Sequence, residues 1–291
     1  MPEDARIEER YVLTATCPGT RGIIAAVANF MADRGCNITQ MHEFDDPATG
    51  RFFMRTVFVP ETRPRPTLQQ LRYAFEATAA RFDMHWELLD TAERCRVMIL
   101  CSRLDHCLAD LLYRHRTGEL FMEVTAVVSN HPEVERMVAL HDIPFHHLPV
   151  CAATRADQEA RILSLITETS TRLVVLARYM QVLSANLCRA LEGHCINIHH
   201  SFLPGFKGAR PYHQAFERGV KLIGATAHYV TTDLDEGPII EQVVERVDHT
   251  YGPRELIAAG RDSETVALAR AVKLHTEQRV FINDNKTVVF R

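Results

Sequence analysis

Three short, uninterrupted apolar segments constrain the fold of this chain more than any other feature of its sequence. They are Val97–Cys101, Val124–Ser129 and Leu173–Ala177. A strand that is apolar at nearly every position is buried on both faces, as parallel strands covered by helices are. Segments with helical spacing alternate with them, at Leu104–Tyr113, Pro132–His141, Ala156–Thr169, Ala185–Leu191 and Arg254–Thr276. The sequence therefore predicts a doubly wound, mostly parallel α/β domain over residues 91–291.

The first ninety residues have a different pattern. Alternating segments predict four strands, at Tyr11–Thr16, Ile38–Phe44, Phe52–Val59 and His85–Leu89. Helical spacing predicts two helices, at Ile23–Met31 and Leu68–Phe82. This order is βαββαβ, the ferredoxin-like α+β arrangement. The polar segment Asp90–Arg94 marks the boundary, so we expect domains at residues 1–90 and 91–291. A terminal hairpin is predicted around Asp284–Lys286.

Charge and cysteine content exclude several classes of protein. The net charge is −4 and no basic stripe is present, so nucleic acid is not an expected partner. None of the eight cysteines forms a C-x-x-C pair, which is typical of reduced, buried thiols. The polar segment Met1–Asp4 does not open a signal peptide, and no apolar run approaches the ~18 residues that cross a bilayer. We expect a cytoplasmic protein without a membrane partner.

Polar side chains cluster in the run Asn197–Gly208, which follows an apolar strand. Residues at i and i+2 of a strand share a face, so Asn197 and His199 point the same way. The carboxyl end of a strand is where open α/β sheets bind their ligands. A second run, His228–Ile240, passes from a strand into an acidic loop that holds Asp233 and Asp235. An amide, an imidazole and a carboxylate in one cleft suit nucleophilic attack on a carbonyl.

Two other chemistries are weaker interpretations of these runs. Ser201 lacks a G-x-S-x-G elbow, so we expect its hydroxyl to bind the backbone of its own loop. The pairs His146–His147 and His199–His200 contain neighbours that point to opposite faces of a strand, and no zinc spacing accompanies them. We expect no metal site.

The turn after the first apolar strand of the second domain carries a negative signal. No glycine lies between Cys95 and Thr117, although a turn that cradles a phosphate needs glycine there. A nucleotide cofactor or a phosphate-bearing substrate is therefore not expected at this turn. The segment Leu176–Ser184 instead presents backbone groups flanked by apolar side chains, which suits a flat heteroaromatic ligand, with core packing as the alternative.

Together these runs resemble the formyltransferase family that uses 10-formyltetrahydrofolate. Asn197-x-His199-x-Ser201-x-Leu203-Pro204 is similar to that family's active-site signature, and Leu234-Asp235-x-Gly237-Pro238 to its second motif. The resemblance implies that Asn197 and His199 activate the formyl group and that Asp235 is the catalytic carboxylate. It also implies substrate-binding residues, which are Met180, Gln181, Val182, Leu183, His228, Val230, Asp233 and Gly237.

The first ninety residues resemble an ACT domain, a module that binds amino acids. An ACT domain ahead of a formyltransferase domain is similar to enzymes that hydrolyse 10-formyltetrahydrofolate to formate and tetrahydrofolate, which supply formate for purine synthesis. The missing phosphate turn argues against a glycinamide ribonucleotide transformylase. The chain ends at Arg291 without the further basic domain of a methionyl-tRNA formyltransferase. The alternatives are an enzyme that transfers the formyl group to an unidentified amine and a sensor without catalysis.

The ACT resemblance implies partners. Its ligand turn corresponds to Cys17–Gly22, where Cys17 replaces the acidic residue of many ACT domains. Methionine or glycine are the effectors that one-carbon metabolism suggests first. Exposed strand edges favour a homo-oligomer, either a dimer or a tetramer. Beyond the folate substrate, no cofactor is implied.

Overall fold

A computed structural model of the protein describes residues 10–205 and 211–291, which form two compact units. The first unit contains the residues up to Arg94 together with 277–283 and 288–291. The second contains 95–276 and 284–287. The predicted division assigned every residue after 90 to the second domain, whereas the first compact unit also contains residues 91–94, 277–283 and 288–291. Residues 206–208 of the predicted polar run, and the acidic N-terminus, lie outside the described residues.

The first unit is the predicted ferredoxin-like domain. Its elements are β1 (Tyr11–Pro18), α1 (Ile23–Asp33), β2 (Cys36–Asp46), β3 (Arg51–Pro60), α2 (Leu68–Arg81) and β4 (His85–Asp90). The strands form an antiparallel sheet in the order β2-β3-β1-β4. The βαββαβ prediction is confirmed. Strand β1 extends to Pro18, so the chain turns after Pro18 and Cys17 is buried in the sheet.

Aromatic packing joins the helices of this unit to one face of its sheet. The Phe75 ring meets Phe30 at a centroid distance of 5.0 Å and Trp86 at 4.9 Å, both edge to face. Phe75 is fully buried, which contributes about 1.5–3 kcal/mol for a side chain of this kind. The C-terminal strands β12 (Val280–Asn283) and β13 (Lys286–Val289) form the predicted hairpin. Phe281 of β12 packs against Phe53 with centroids 5.8 Å apart.

The second unit is built on a seven-stranded sheet in the order β11-β10-β9-β8-β5-β6-β7. Its strands are β5 (Cys95–Cys101), β6 (Met122–Ser129), β7 (Phe145–His147), β8 (Leu173–Ala177), β9 (Cys195–His199), β10 (Leu222–Tyr229) and β11 (Ile239–Arg246). Strands β5 to β9 are parallel, and β10 pairs antiparallel with both β9 and β11. The doubly wound, mostly parallel architecture is therefore confirmed.

Helices lie between most of the strands of this sheet along the chain. They are α3 (His106–Arg116), α4 (Glu135–Ala139), α5 (Arg155–Glu168), α6 (Ala185–Ala190), α7 (Pro211–Arg218) and α8 (Pro253–Thr276). Helix α4 is shorter than the predicted Pro132–His141 because the segment before it forms turns. Within residues 10–205 and 211–291, no helix is both long and apolar enough to cross a membrane.

The cysteines agree with the prediction in part. All eight lie in the described chain and none forms a disulfide there. Six are buried, but Cys95 is half-buried and Cys151 is exposed. The expectation of buried thiols is therefore wrong for Cys151, which lies between β7 and α5 rather than inside an element.

Candidate functional site

Two paired strands place the polar side chains of the site on one face of the sheet. Asn197 and His199 are two residues apart on β9, and the antiparallel partner of Asn197 on β10 is His228. Opposite residues of a strand pair lie side by side on the same face. The partner of His199 is Thr226, whose hydroxyl donates to Ser201 O at 2.9 Å and accepts from Leu203 N at 3.0 Å. Thr226 thus fixes the start of the loop that follows β9.

A tight loop after β10 brings Asp235 to these residues. The loop closes where Tyr229 N donates to Pro238 O at 2.9 Å. Asp235 has a φ of 57°, a left-handed conformation that Asp tolerates better than most residues. Gly237 packs directly on the strand, because a Cβ built there would lie 1.8 Å from Tyr229 O. Only glycine allows this close approach, which directs the Asp235 carboxylate toward β9.

The four side chains form a continuous polar group. His199 Nδ1 lies 3.2 Å from Asp235 Oδ1, and His228 Nε2 lies 3.7 Å from the same oxygen. Asn197 Nδ2 lies 3.3 Å from His228 Nε2. His228 Nδ1 is 2.8 Å from the Tyr229 carbonyl, which can only accept, so this nitrogen carries a proton. The amide, both imidazoles and the carboxylate are therefore held by one another.

The electrostatics of the group keep Asp235 ionised. Burial acts to raise the pKa of its carboxyl, but the neighbouring imidazoles of His199 and His228 hold that pKa below its ordinary value. An ionised Asp235 favours a proton on His199 Nδ1. His199 Nε2 is buried and has no hydrogen-bond partner among the described residues. This nitrogen can therefore bind a ligand atom.

These residues line a cleft of about 420 Å³, a size that suits a small-molecule ligand. Its walls are mostly apolar and come from three segments, 176–188, 197–200 and 228–235. The sequence-predicted residues in its lining are Met180, Gln181, Val182, Leu183, Asn197, His199, His228, Val230, Asp233 and Asp235. Gly237 is not part of the lining and acts on the site through the turn behind Asp235.

The strip Met180–Leu183 is held in place by the first turn of helix α5. Arg155 Nη1 donates to Val182 O at 2.8 Å, and Gln158 Nε2 donates to the Tyr179 hydroxyl at 2.8 Å. The buried Glu159 carboxylate accepts from Ser184 N at 2.8 Å and from the Ser184 hydroxyl. Met180 N donates to Ser102 Oγ at 3.0 Å. Met180 N and Val182 O are therefore already engaged within the protein, which leaves the other backbone groups of the strip for a ligand.

Sequence reasoning did not identify Arg178 and His200, which also line the cleft. Arg178 directly follows the apolar strand β8. Its position at the carboxyl end of a parallel strand is the feature of the sequence that could have identified it as a site residue. His200 follows the last residue of β9, where strand alternation stops, so it faces the cleft together with His199 instead of away from it. Their ring centroids are 5.1 Å apart. Burial, with the charges of Arg178 and His199, lowers the pKa of His200 to about 4.

A second group of charged side chains, which we call the Glu264 cluster, comprises Glu264, His106, Arg178 and Tyr212. Glu264 Oε2 lies 2.8 Å from His106 Nε2 and 3.3 Å from Arg178 Nε. The Tyr212 hydroxyl donates to Glu264 Oε1 at 2.8 Å. The members come from α3, the end of β8, α7 and α8, so no local sequence pattern connects them.

Ligand atoms of His106, Cys107 and Glu264 lie within 4.8 Å of one another, a spacing that could suit a metal ion. Their chemistry fits an ion pair better. Burial and the Glu264 charge raise the pKa of the Cys107 thiol, which disfavours the thiolate that a metal needs. The Arg178 guanidinium beside Glu264 repels a cation. This set is therefore an internal ion-pair network.

The hydroxyl of Ser201 has a structural role, as the sequence predicts. Ser201 Oγ donates to Gly205 O at 3.0 Å, within its own loop.

The sheet and this polar group at its carboxyl edge together define a formyl transferase domain. The formyl transferase family model matches residues 95–272, and the ACT domain model matches residues 11–76. A curated relative, formyltetrahydrofolate deformylase of Corynebacterium sp. (strain P-1), is 52% identical over 97% of this chain and 98% of its own length. The chain belongs to the formyltetrahydrofolate deformylase family.

Solved structures support the same assignment. A formyltetrahydrofolate deformylase from Burkholderia mallei is 53% identical, has a TM-score of 0.93, and the match covers 97% of this chain and 100% of that one. A glycinamide ribonucleotide transformylase from Symbiobacterium toebii is 28% identical with a TM-score of 0.63. That match covers 68% of this chain and 95% of that one. The similarity to the transformylase therefore extends over only part of this chain.

Proposed function

We propose that this protein hydrolyses 10-formyltetrahydrofolate to formate and tetrahydrofolate. The observation that carries the proposal is the contact of His199 and Asp235 beside Asn197, at the end of a cleft large enough for a folate ring. Family membership supports the choice of substrate. The apolar strip Met180–Leu183 and the loop Val230–Asp235 supply the two walls between which the pteridine ring would bind.

The reaction begins when a water molecule attacks the formyl carbon. Asp235 orients this water and accepts its proton as the carbon–oxygen bond forms. Negative charge develops on the formyl oxygen, where His199 Nε2 and the Asn197 amide donate hydrogen bonds to it. The free, buried Nε2 of His199 supports this role because a donor that is fixed before the reaction needs no rearrangement. Collapse of the tetrahedral intermediate then breaks the bond between carbon and N10, and N10 takes up a proton.

The low pKa of Asp235 makes its carboxylate a weak base in the resting site. Its charge is balanced by His199 and His228, which both lower that pKa. When the oxyanion forms, His199 Nε2 donates a hydrogen bond to it, so that His199 balances the Asp235 charge less fully and the carboxylate becomes more basic. Proton transfer to Asp235 is therefore coupled to formation of the oxyanion, and the same proton can pass to N10 through His199 or through water.

The direct test measures formate released from 10-formyltetrahydrofolate without any amine present. We expect Asp235→Asn to lower kcat by about 10²–10⁴, because it removes the proton acceptor and the charge opposite His199. His199→Ala or Asn197→Ala should each lower kcat by about 10²–10³ through loss of an oxyanion donor. Glu236→Gln is the matched control, since it removes an exposed carboxylate of the same loop that does not line the cleft. Undiminished formate release from Asp235→Asn would contradict the mechanism.

The alternatives give different results in this assay. Formyl transfer to an amine would appear as turnover that depends on the acceptor, with little formate. A sensor without catalysis would show a ligand-induced thermal shift and no turnover.

We also propose that the ACT domain binds an amino-acid effector and contributes to a homo-oligomer. Support comes from the match to the ACT model and from the edge strand β2, whose side chains are mostly exposed. An unpaired strand edge can extend its sheet with the same strand of a second copy. A cytoplasmic location stays a prediction of the sequence.

A further inference from the structure

The Glu264 cluster lies beside the reacting side chains, and no step of the proposed reaction uses it. Its central carboxylate is 1% exposed and is held by three partners. The cluster is packed as tightly as a core. A Cβ built on Gly260 would lie 2.1 Å from the Tyr212 hydroxyl, so the Tyr212 ring rests directly on the backbone of α8.

The backbone conformation and the buried charge of Arg178 are both unfavourable for the stability of the fold. Its φ is 61°, a left-handed conformation that is unfavourable for a residue other than glycine. Its side chain is 8% exposed, and a buried ion pair often stabilises a fold no better than apolar packing would. Glycine would remove the backbone strain. Two unfavourable features at one residue indicate that the guanidinium serves the site and not the fold.

Packing connects Arg178 to the reacting group. Arg178, His199 and His200 line the same cleft. The His200 ring lies 5.1 Å from the His199 ring and 6.3 Å from the Tyr212 ring. Tyr212 in turn binds Glu264, and Glu264 pairs with Arg178. On the His200 side of His199, a series of pairwise contacts thus runs through Tyr212 and Glu264 to Arg178.

We propose that Arg178, held by Glu264, determines acceptor specificity by occupying the position that an amine acceptor would need, so that only water reaches the formyl carbon. The inference rests on the proposed hydrolysis. A transformylase shares the fold of this domain, so the choice of acceptor depends on local side chains and not on the sheet. A buried cation also opposes the approach of a protonated amine.

Removal of the Arg178 side chain should admit a small amine. The amine nitrogen would attack the formyl carbon, the bond from that carbon to N10 would break, and the proton released by the amine would pass to N10. The products are the formylated amine and tetrahydrofolate, so no formate appears in this branch. The ratio of formylated amine to formate therefore measures acceptor choice independently of overall rate.

The test supplies 10-formyltetrahydrofolate and glycinamide to the full chain and quantifies formate and formylglycinamide. We expect the natural protein to form almost only formate. Arg178→Gly should raise the ratio of formylglycinamide to formate roughly tenfold or more, a difference of the size that local pocket changes produce. Arg178→Lys should keep the ratio low, because it retains the charge and most of the volume.

A double variant provides a second test of acceptor choice if Arg178→Gly folds poorly. The double variant Arg178→Gly with Glu264→Gln removes both buried charges and should show the same raised ratio. An unchanged ratio in a folded Arg178→Gly or double variant would overturn the inference, as would efficient transfer to glycinamide by the natural protein. Failure of the proposed function is distinguishable, because the natural protein would then release no formate from 10-formyltetrahydrofolate.

Discussion

Substitution of Gly237 tests how the backbone positions the Asp235 carboxylate. In Gly237→Ala the new Cβ would lie 1.8 Å from Tyr229 O, whereas ordinary contact begins at 3.4 Å. Either the loop or the strand must therefore move by about 1.6 Å. The loop carries Asp235 two residues earlier, and Tyr229 O holds the His228 ring. Both movements separate groups that now lie 3.2 Å and 3.7 Å apart.

We expect Gly237→Ala to lower kcat about 10²-fold, the effect of a misplacement of about 1 Å at a catalytic group. Overpacking should also destabilise the fold by about 1–3 kcal/mol. Steady-state formate release gives kcat and KM, and thermal unfolding gives Tm on the same samples. The control is Gly252→Ala, where the new Cβ meets only Glu255 Oε2, the end of a flexible side chain, at 2.8 Å. A Gly237→Ala protein with unchanged kcat would refute the argument.

The remaining predictions concern acid stability and regulation. Burial lowers the pKa of His275 to about 4, so the folded protein binds fewer protons than the unfolded chain between pH 4 and 6.5, and stability falls as the pH drops through that window. The loss of unfolding free energy between pH 7 and pH 5 should be about 2 kcal/mol smaller in His275→Gln than in the natural protein, where His200 adds a similar loss; equal pH dependence in both proteins would contradict this. Titration with methionine or glycine should change the rate of formate release or the mass in light scattering, and no change in either would remove the effector proposal.

Much of the fold follows from local patterns. The strands β5, β6 and β8 are predicted because each is a continuous apolar run, which indicates burial on both faces whatever surrounds it. Two strands escaped prediction for a physical reason. Strand β7 has only three residues, none of them buried, and β11 ends in exposed polar residues at the edge of the sheet. Their pairing depends on a neighbouring strand and not on their own composition.

The candidate site likewise has a part that local sequence patterns predict and a part that they do not. Strand periodicity in the sequence predicts that Asn197 and His199 share a face, and the resemblance of the Gly-Pro motif to the family's second motif predicts Asp235, because both are local patterns of the chain. Only the tertiary structure decided that Arg178 and Glu264, which are distant in sequence, form a buried pair beside His200. Burial and pairing of charges arise from elements that meet only after folding, and no short-range pattern reports them. The proposed chemistry can therefore be predicted from the sequence, whereas the proposed role of Arg178 in the choice of acceptor depends on the packed structure.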